Sequence, residues 1–186
     1  MVKKLINAAD TGGSPALAGL EQAHPNILRV RRDPDYVVRR DAPLQGHVAI
    51  ISGGGSGHEP MHAAYVGRGM LTAACPGPIF TAPTPDQILA ATRAADGGVG
   101  TLYIVKNYAG DVMNFEIAAE IAQAEGARVA TVVIADDVAI KNADLRRGVG
   151  ATVLIEKLVG AAAECGASLA ECVTVARRAA DASRSM

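Results

Sequence analysis

Short runs of apolar, β-branched residues, each stopped by glycine or polar residues and separated by helical sequence, restrict what this chain can become. "VAIIS" (Val48–Ser52) and "GTLYIVK" (Gly100–Lys106) are continuous rather than alternating, which is how strands buried on both faces read. "RVATVVIADD" (Arg128–Asp137) is a further strand that ends in two acids, and "MLTAAC" (Met70–Cys75) reads as another. Between them, "HAAYVGRG" reads as a short helix. "TPDQILAATRAAD" opens with Thr84 as N-cap, Pro85 at the first helical position and Gln87 as capping-box partner. In "VMNFEIAAEIAQAEG", Met113, Ile117 and Ile121 recur at helical spacing beside Ala118 and Ala122, and Gly126 closes the helix. "GATVLIEKLVGAAAECG" predicts a helix closed by Gly166, and a last helix starts at Ser168 with Glu171 completing its capping box.

Strands separated by helices imply right-handed crossovers and a mainly parallel sheet covered on both faces, a three-layer α/β/α fold. Residues 1–186 read as a single domain of that kind. Ligands of such sheets sit beyond the carboxyl ends of the strands. Here those ends lead into "GGGSGHE", "NYAGD" and "ADDVAIKN", and functional residues are expected on these loops.

The 49% hydrophobic content, with abundant alanine and glycine and 3% aromatics, fits a close-packed α/β domain rather than a disordered or fibrous chain. With a net charge of −1 and arginines gathered in small groups such as Arg29–Arg32, Arg39–Arg40 and Arg146–Arg147, there is no broad basic face for nucleic acid. Cys75, Cys165 and Cys172 form no C-x-x-C pair, which suits a reducing compartment. "MVKKLINAAD" lacks the apolar core of a signal peptide, and no segment is apolar enough to span a bilayer. The expectation is a cytoplasmic protein.

"SGGGSGHEPMH" (Ser52–His62) contains the string H-E-x-x-H of zinc proteases, which requires an unbroken helix to place both histidines on one face. Pro60 breaks that requirement: it predicts a helix starting at Pro60, with His58 in the loop and His62 in the helix. No metal site is therefore expected. The phosphate-loop, dinucleotide and nucleophile-elbow patterns fail on the residues at Lys, third-glycine and final-glycine positions. What remains is a run of glycines after a strand, read as a backbone cradle for a small polar ligand at a helix start, or as a tight turn with none. His58 beside it is a candidate general base. Asp111 reads equally as a ligand or as the N-cap of its helix, and Lys106 as a ligand or as a solvated strand terminus. Asp136 and Asp137 read as strand terminators, and His24 and His47 as structural.

Taken in order, "KKLINAAD", "LAGLEQAHP", "DPDYVVRRDAP", "SGGGSGHEPMH", "GMLTAACPGPIFTAPTPDQI", "VKNYAGDVMNFE", "VVIADDVAI", "RRGV" and "TVLIEKLVGAAAE" resemble the first domain of the substrate-binding subunit of dihydroxyacetone kinases. The resemblance runs over nearly the whole chain. It implies transfer of a phosphoryl group to a terminal hydroxyl of dihydroxyacetone or a related short keto-sugar such as erythrulose. It implies His58 as general base and Asp111 as a hydrogen-bonding acid that shares in proton transfer. Gly55, Ser56, Gly57, His58 and Lys106 would contact substrate, and Phe80 would wall the pocket.

The same resemblance implies components found elsewhere. A second domain would carry a histidine that binds the ketone as a hemiaminal. A separate donor domain or subunit would hold ATP, or ADP, with magnesium, so that no cofactor is expected on this chain. The expected partners are thus the sugar, the nucleotide-binding donor subunit and a chain carrying the second domain, in a homo- or hetero-oligomer, with no nucleic acid and no membrane. The sequence departs from the family pattern where "TGGSP" interrupts the first helix, where "DDVAIKNADLRRGV" is short, and at Ala82, where serine is usual. A non-catalytic sugar-binding or regulatory homologue is the competing reading.

Overall fold

In a computed structural model that describes residues 14–186, the apolar runs direct alternate side chains to the two faces of one sheet. Its strands are β1 (Leu28–Arg31), β2 (Tyr36–Arg39), β3 (Ala49–Ser56), β4 (Ala73–Ile79), β5 (Thr101–Lys106) and β6 (Val129–Ile134), in the order β1-β2-β4-β3-β5-β6. β4, β3, β5 and β6 run parallel, while β1 and β2 form an antiparallel hairpin that joins β4 antiparallel at one edge.

Ile50, Leu102, Ile104, Val132 and Ile134 face one core, with Ile155 and Val159 of α4 (Ala151–Glu164) and Cys172 and Ala176 of α5 (Leu169–Ala182). Ile51, Ala73, Tyr103 and Val105 face the other, with Ile88 of α2 (Pro85–Ala95) and Phe115 and Ala118 of α3 (Ala109–Ala124). Each fully buried side chain of this size contributes about 1.5–3 kcal/mol, so the period-two split of the strands drives the layering. The result is the expected three-layer α/β/α arrangement with a mainly parallel sheet.

Several local expectations change. β1 and β2 come from "LRVR" and "YVVR", whose arginines mask the strand pattern in sequence. β3 does not stop at Ser52 but continues through Gly53–Gly55 to Ser56, because those glycines pair with Cys75, Pro76 and Gly77 of β4. β4 likewise extends through "PGPI". No α-helix starts at Pro60: the chain turns, with the His58 carbonyl accepting the Met61 N–H at 3.1 Å, and forms only one 3-10 turn at Ala63–Tyr65. His62, just before that turn, is buried at 4% exposure. The N-cap of α3 is Tyr108, so Asp111 lies inside the first turn and is not the cap. The capping boxes at Thr84 and Ser168 form as expected. The N-terminal "KKLINAAD" lies outside the described residues, and α1 spans Ser14–Ala23.

β4 and β5 lie on opposite sides of β3, so the loops leaving β3 and β5 separate and open a crevice at the carboxyl ends of these strands.

Candidate functional site

That crevice is a cleft of about 600 Å³, within the size range of small-molecule sites. Gly55 and His58 from β3 and its exit line it. So do Phe80 and Ala82 after β4, Lys106 at the end of β5, and Asp111 in the first turn of α3. Three stretches of sequence, around residues 55–58, 80–82 and 106–114, therefore converge on one space.

His58 is exposed, and its ring meets Phe80 edge-on at 5.5 Å and 83°. Its pKa lies below the ordinary histidine value, first because it is partly desolvated and next because the Lys106 ammonium repels a second positive charge. Lys106 is 2% exposed, so the solvated-terminus reading does not hold. Burial lowers its pKa, opposed by the carboxylates of Asp111 and Glu156, and its Nζ lies 5.4 Å from the centre of the Tyr108 ring. Asp111 is 6% exposed and its pKa is raised by burial, opposed by the Lys106 charge. In both members of this pair desolvation outweighs mutual attraction, so each is held less firmly ionised than in water. The cleft thus combines a base that is neutral near pH 7, a cationic donor and an acid.

The glycines have specific causes. A Cβ at Gly55 would stand 2.5 Å from the Thr81 backbone nitrogen, so β3 and the segment after β4 can approach only there. Gly57, at φ 107°, would drive a Cβ to 2.9 Å from the Phe80 ring. The glycine run is therefore chiefly a strand that packs closely, rather than a free loop at a helix start. Gly55 lines the cleft, whereas the Ser56 hydroxyl turns away to the Gly77 carbonyl at 2.6 Å. The Gly57 N–H bonds the Glu59 carboxylate at 2.9 Å.

Asp136 and Asp137 take no part in the cleft. Asp136 accepts the Val149 and Ala151 N–H groups at 2.8 and 2.9 Å, and Asp137 pairs with Arg147 at 2.8 Å. They are structural, as expected, and the loop that begins with them does not line the site. His24 is exposed, and His47 sits 3.2 Å from the Gln45 carbonyl. Among the described residues no cluster of His, Cys, Asp or Glu could hold a metal ion. No described helix is long and apolar enough to cross a membrane.

Two polar residues behind the cleft were not anticipated. His62 and Glu156 are 4% and 0% exposed and pair at 2.6 Å, with Ser52 3.1 Å from the same histidine nitrogen. The one available signal was Glu156 itself, an acid on the helix face that carries Thr152, Ile155 and Val159 into the core.

Comparison with known proteins assigns the class: residues 18–186 match the Dak1 domain, and the chain belongs to that family. It is 56% identical over 180 residues to the dihydroxyacetone-binding subunit DhaK of the PEP-dependent dihydroxyacetone kinase of Escherichia coli, covering 95% of this chain and 50% of that protein. The dihydroxyacetone kinase of C. freundii, solved with AMP-PNP and Mg²⁺, superposes with a TM-score of 0.92 at 40% identity, over 97% of this chain and 34% of that one. A dihydroxyacetone kinase operon co-activator, DhaQ, superposes with a TM-score of 0.83 at 38% identity, over 88% of this chain and 51% of that one. The chain spans about half the length of the DhaK subunit it matches.

Proposed function

We propose that this chain is the first half of a dihydroxyacetone kinase substrate subunit. It binds dihydroxyacetone, or a related short keto-sugar such as erythrulose, and readies its terminal hydroxyl for phosphorylation. The observation that carries this reading is the convergence of His58, Lys106 and Asp111 on one cleft at the carboxyl ends of β3 and β5. A triose offers little apolar surface, so recognition rests on directed hydrogen bonds. The Lys106 ammonium donates to a sugar oxygen, Asp111 accepts from a hydroxyl, and Phe80 closes the wall. His58, neutral at physiological pH, takes the proton of the terminal hydroxyl as that oxygen attacks phosphorus in line. Gly55 admits the sugar close to the backbone, whereas Ser56 and Gly57 act by shaping the wall around Phe80.

Residues 1–186 act as one domain in this reading. A second domain, on this or a partner chain, supplies the histidine that holds the ketone as a hemiaminal. The phosphoryl group comes from ATP, or from ADP recharged by a phosphotransferase relay, held with magnesium on a separate donor subunit. The site is soluble and cytoplasmic, and the working assembly is an oligomer.

The test mixes the chain with second-domain and donor chains and follows phosphorylation of dihydroxyacetone and erythrulose. His58→Ala is expected to lower kcat by about 10²–10⁴-fold with little change in sugar affinity. Turnover unaffected by this substitution overturns the general-base role. Sugar binding by calorimetry without turnover in any combination indicates a binding or regulatory homologue instead.

A further inference from the structure

The buried group behind the cleft has a determined proton arrangement. Nδ1 of His62 is 2.6 Å from Glu156 Oε1 and 3.1 Å from Ser52 Oγ. The single Ser52 hydroxyl proton goes to the Ile104 carbonyl at 2.7 Å, so toward His62 this oxygen can only accept. Glu156, acting as the carboxylate that supports the Lys106 ammonium, can likewise only accept, so both neighbours of Nδ1 require a donor. Nδ1 carries the ring proton, and in the neutral ring Nε2 presents a bare lone pair.

That Nε2 is buried and has no hydrogen-bond partner among the described residues. It is aimed into the space left by Gly54: the position a Cβ would occupy there lies 3.5 Å from His62 Nε2 and 3.2 Å from Lys106 Nζ. An unpartnered buried acceptor costs about 1–3 kcal/mol, and the ammonium carries three donors into the same space. Hydrogen bonds of this kind are often long in a ligand-free site and tighten when it closes.

We propose that His62, with its tautomer set by Glu156 and Ser52, is a positioning residue: its Nε2 accepts from the Lys106 ammonium across the space that Gly54 leaves open. This holds the Lys106 head at the floor of the cleft, and it rests on the sugar-binding reading only for what Lys106 then contacts. The other charged or polar groups facing Lys106 are Asp111 on α3, Glu156 on α4, His58 after β3 and the Tyr108 ring. Gly54 then has a functional cause: any larger side chain would separate the two nitrogens.

The experiment uses the isotopically labelled full chain without sugar. Long-range ¹H–¹⁵N NMR of the wild type reads the His62 tautomer, and a proton on Nε2 rather than Nδ1 overturns the proposal. In Lys106→Met the His62 Nε2 resonance is expected to shift, and an unchanged resonance also overturns it. His62→Asn keeps a donor toward Glu156 but loses the distal acceptor. It should lower the Lys106 pKa by about one unit or more, as expected for loss of a hydrogen bond to a charged group. His62→Gln keeps an acceptor near the Nε2 position but loses the proximal donor, so Lys106 should titrate close to wild type while the melting temperature falls. The reverse pattern, or no response of Lys106 to either variant, assigns His62 a purely structural role. Because none of these readouts needs sugar, a chain that fails to bind keto-sugars but shows the stated pattern refutes the functional reading and leaves the positioning role standing.

Discussion

His58, Lys106 and Asp111 owe their chemistry to one another as much as to residue type. Lys106 helps hold His58 deprotonated, while burial keeps both Lys106 and Asp111 less ionised than in water. His58 is therefore expected to titrate below its ordinary 6.5 by NMR. Lys106→Met should move that value up, because a repelling positive charge is removed. In the assembled kinase, kcat/KM should fall with acid only below the ordinary histidine pKa, and the pH profile checks it. Asp111→Asn should lower the Lys106 pKa further, since the carboxylate supports the ammonium. The glycines separate in the same way. Gly57→Ala should cost about 1 kcal/mol, mainly for its left-handed backbone, because the exposed Phe80 ring can swing aside. Gly55→Ala meets backbone and should cost about 3 kcal/mol or more, and urea denaturation of both variants tests the difference.

At the scale of elements, β3, β5 and α3 carry the site. Phe115 of α3 is fully buried and stacks edge-on against Tyr103 of β5 at 5.2 Å, so it sets where the first turn of α3 holds Asp111. Phe115→Ala should destabilise the fold by about 3–5 kcal/mol, measured by denaturation, and weaken sugar binding beyond what unfolding explains. "RRGV" has a similar positional cause: a Cβ at Gly148 would stand 2.8 Å from Lys106 Cα, and Arg147 pairs with Asp137. β3, β5 and the capped helices were legible because their cues are local: continuous β-branched runs, and capping residues at fixed spacing. β1 and β2 were not, because two short runs with arginines in and beside them, "LRVR" and "YVVR", resemble a polar loop until the hairpin has a sheet edge to join. The continuation of β3 through glycine was illegible for the same reason. Glycine lacks strand propensity, and only the facing β4 makes the extended path favourable.

Across the whole molecule, Glu164 at the end of α4 joins separate parts of the chain. Its carboxylate pairs with the buried Arg39 of β2 and with Arg68, and accepts the Gly69 N–H at 3.3 Å. The pairing with Arg39 is the main reason its pKa is depressed. The contribution is therefore fully present above the ordinary value of 4.5 and is lost as pH falls through the lower folded value. Glu164→Gln should cost about 1–2 kcal/mol at pH 7 in urea denaturation, and the difference from wild type should shrink toward pH 3.

By itself the sequence determined the layering of the fold, the alternation of strands and helices from β3 onward, and the presence of His58, Lys106 and Asp111 at strand exits. Periodicity, capping and strand-end position are properties of neighbouring residues. Only the tertiary structure decided that Asp111 is not a cap, that Lys106 is buried, and that His62 lies beside Glu156 behind the cleft. Burial and pKa depend on which distant segments meet. The packing that brings residue 62 to residue 156 leaves no mark at either position except a charged side chain where an apolar one would pack.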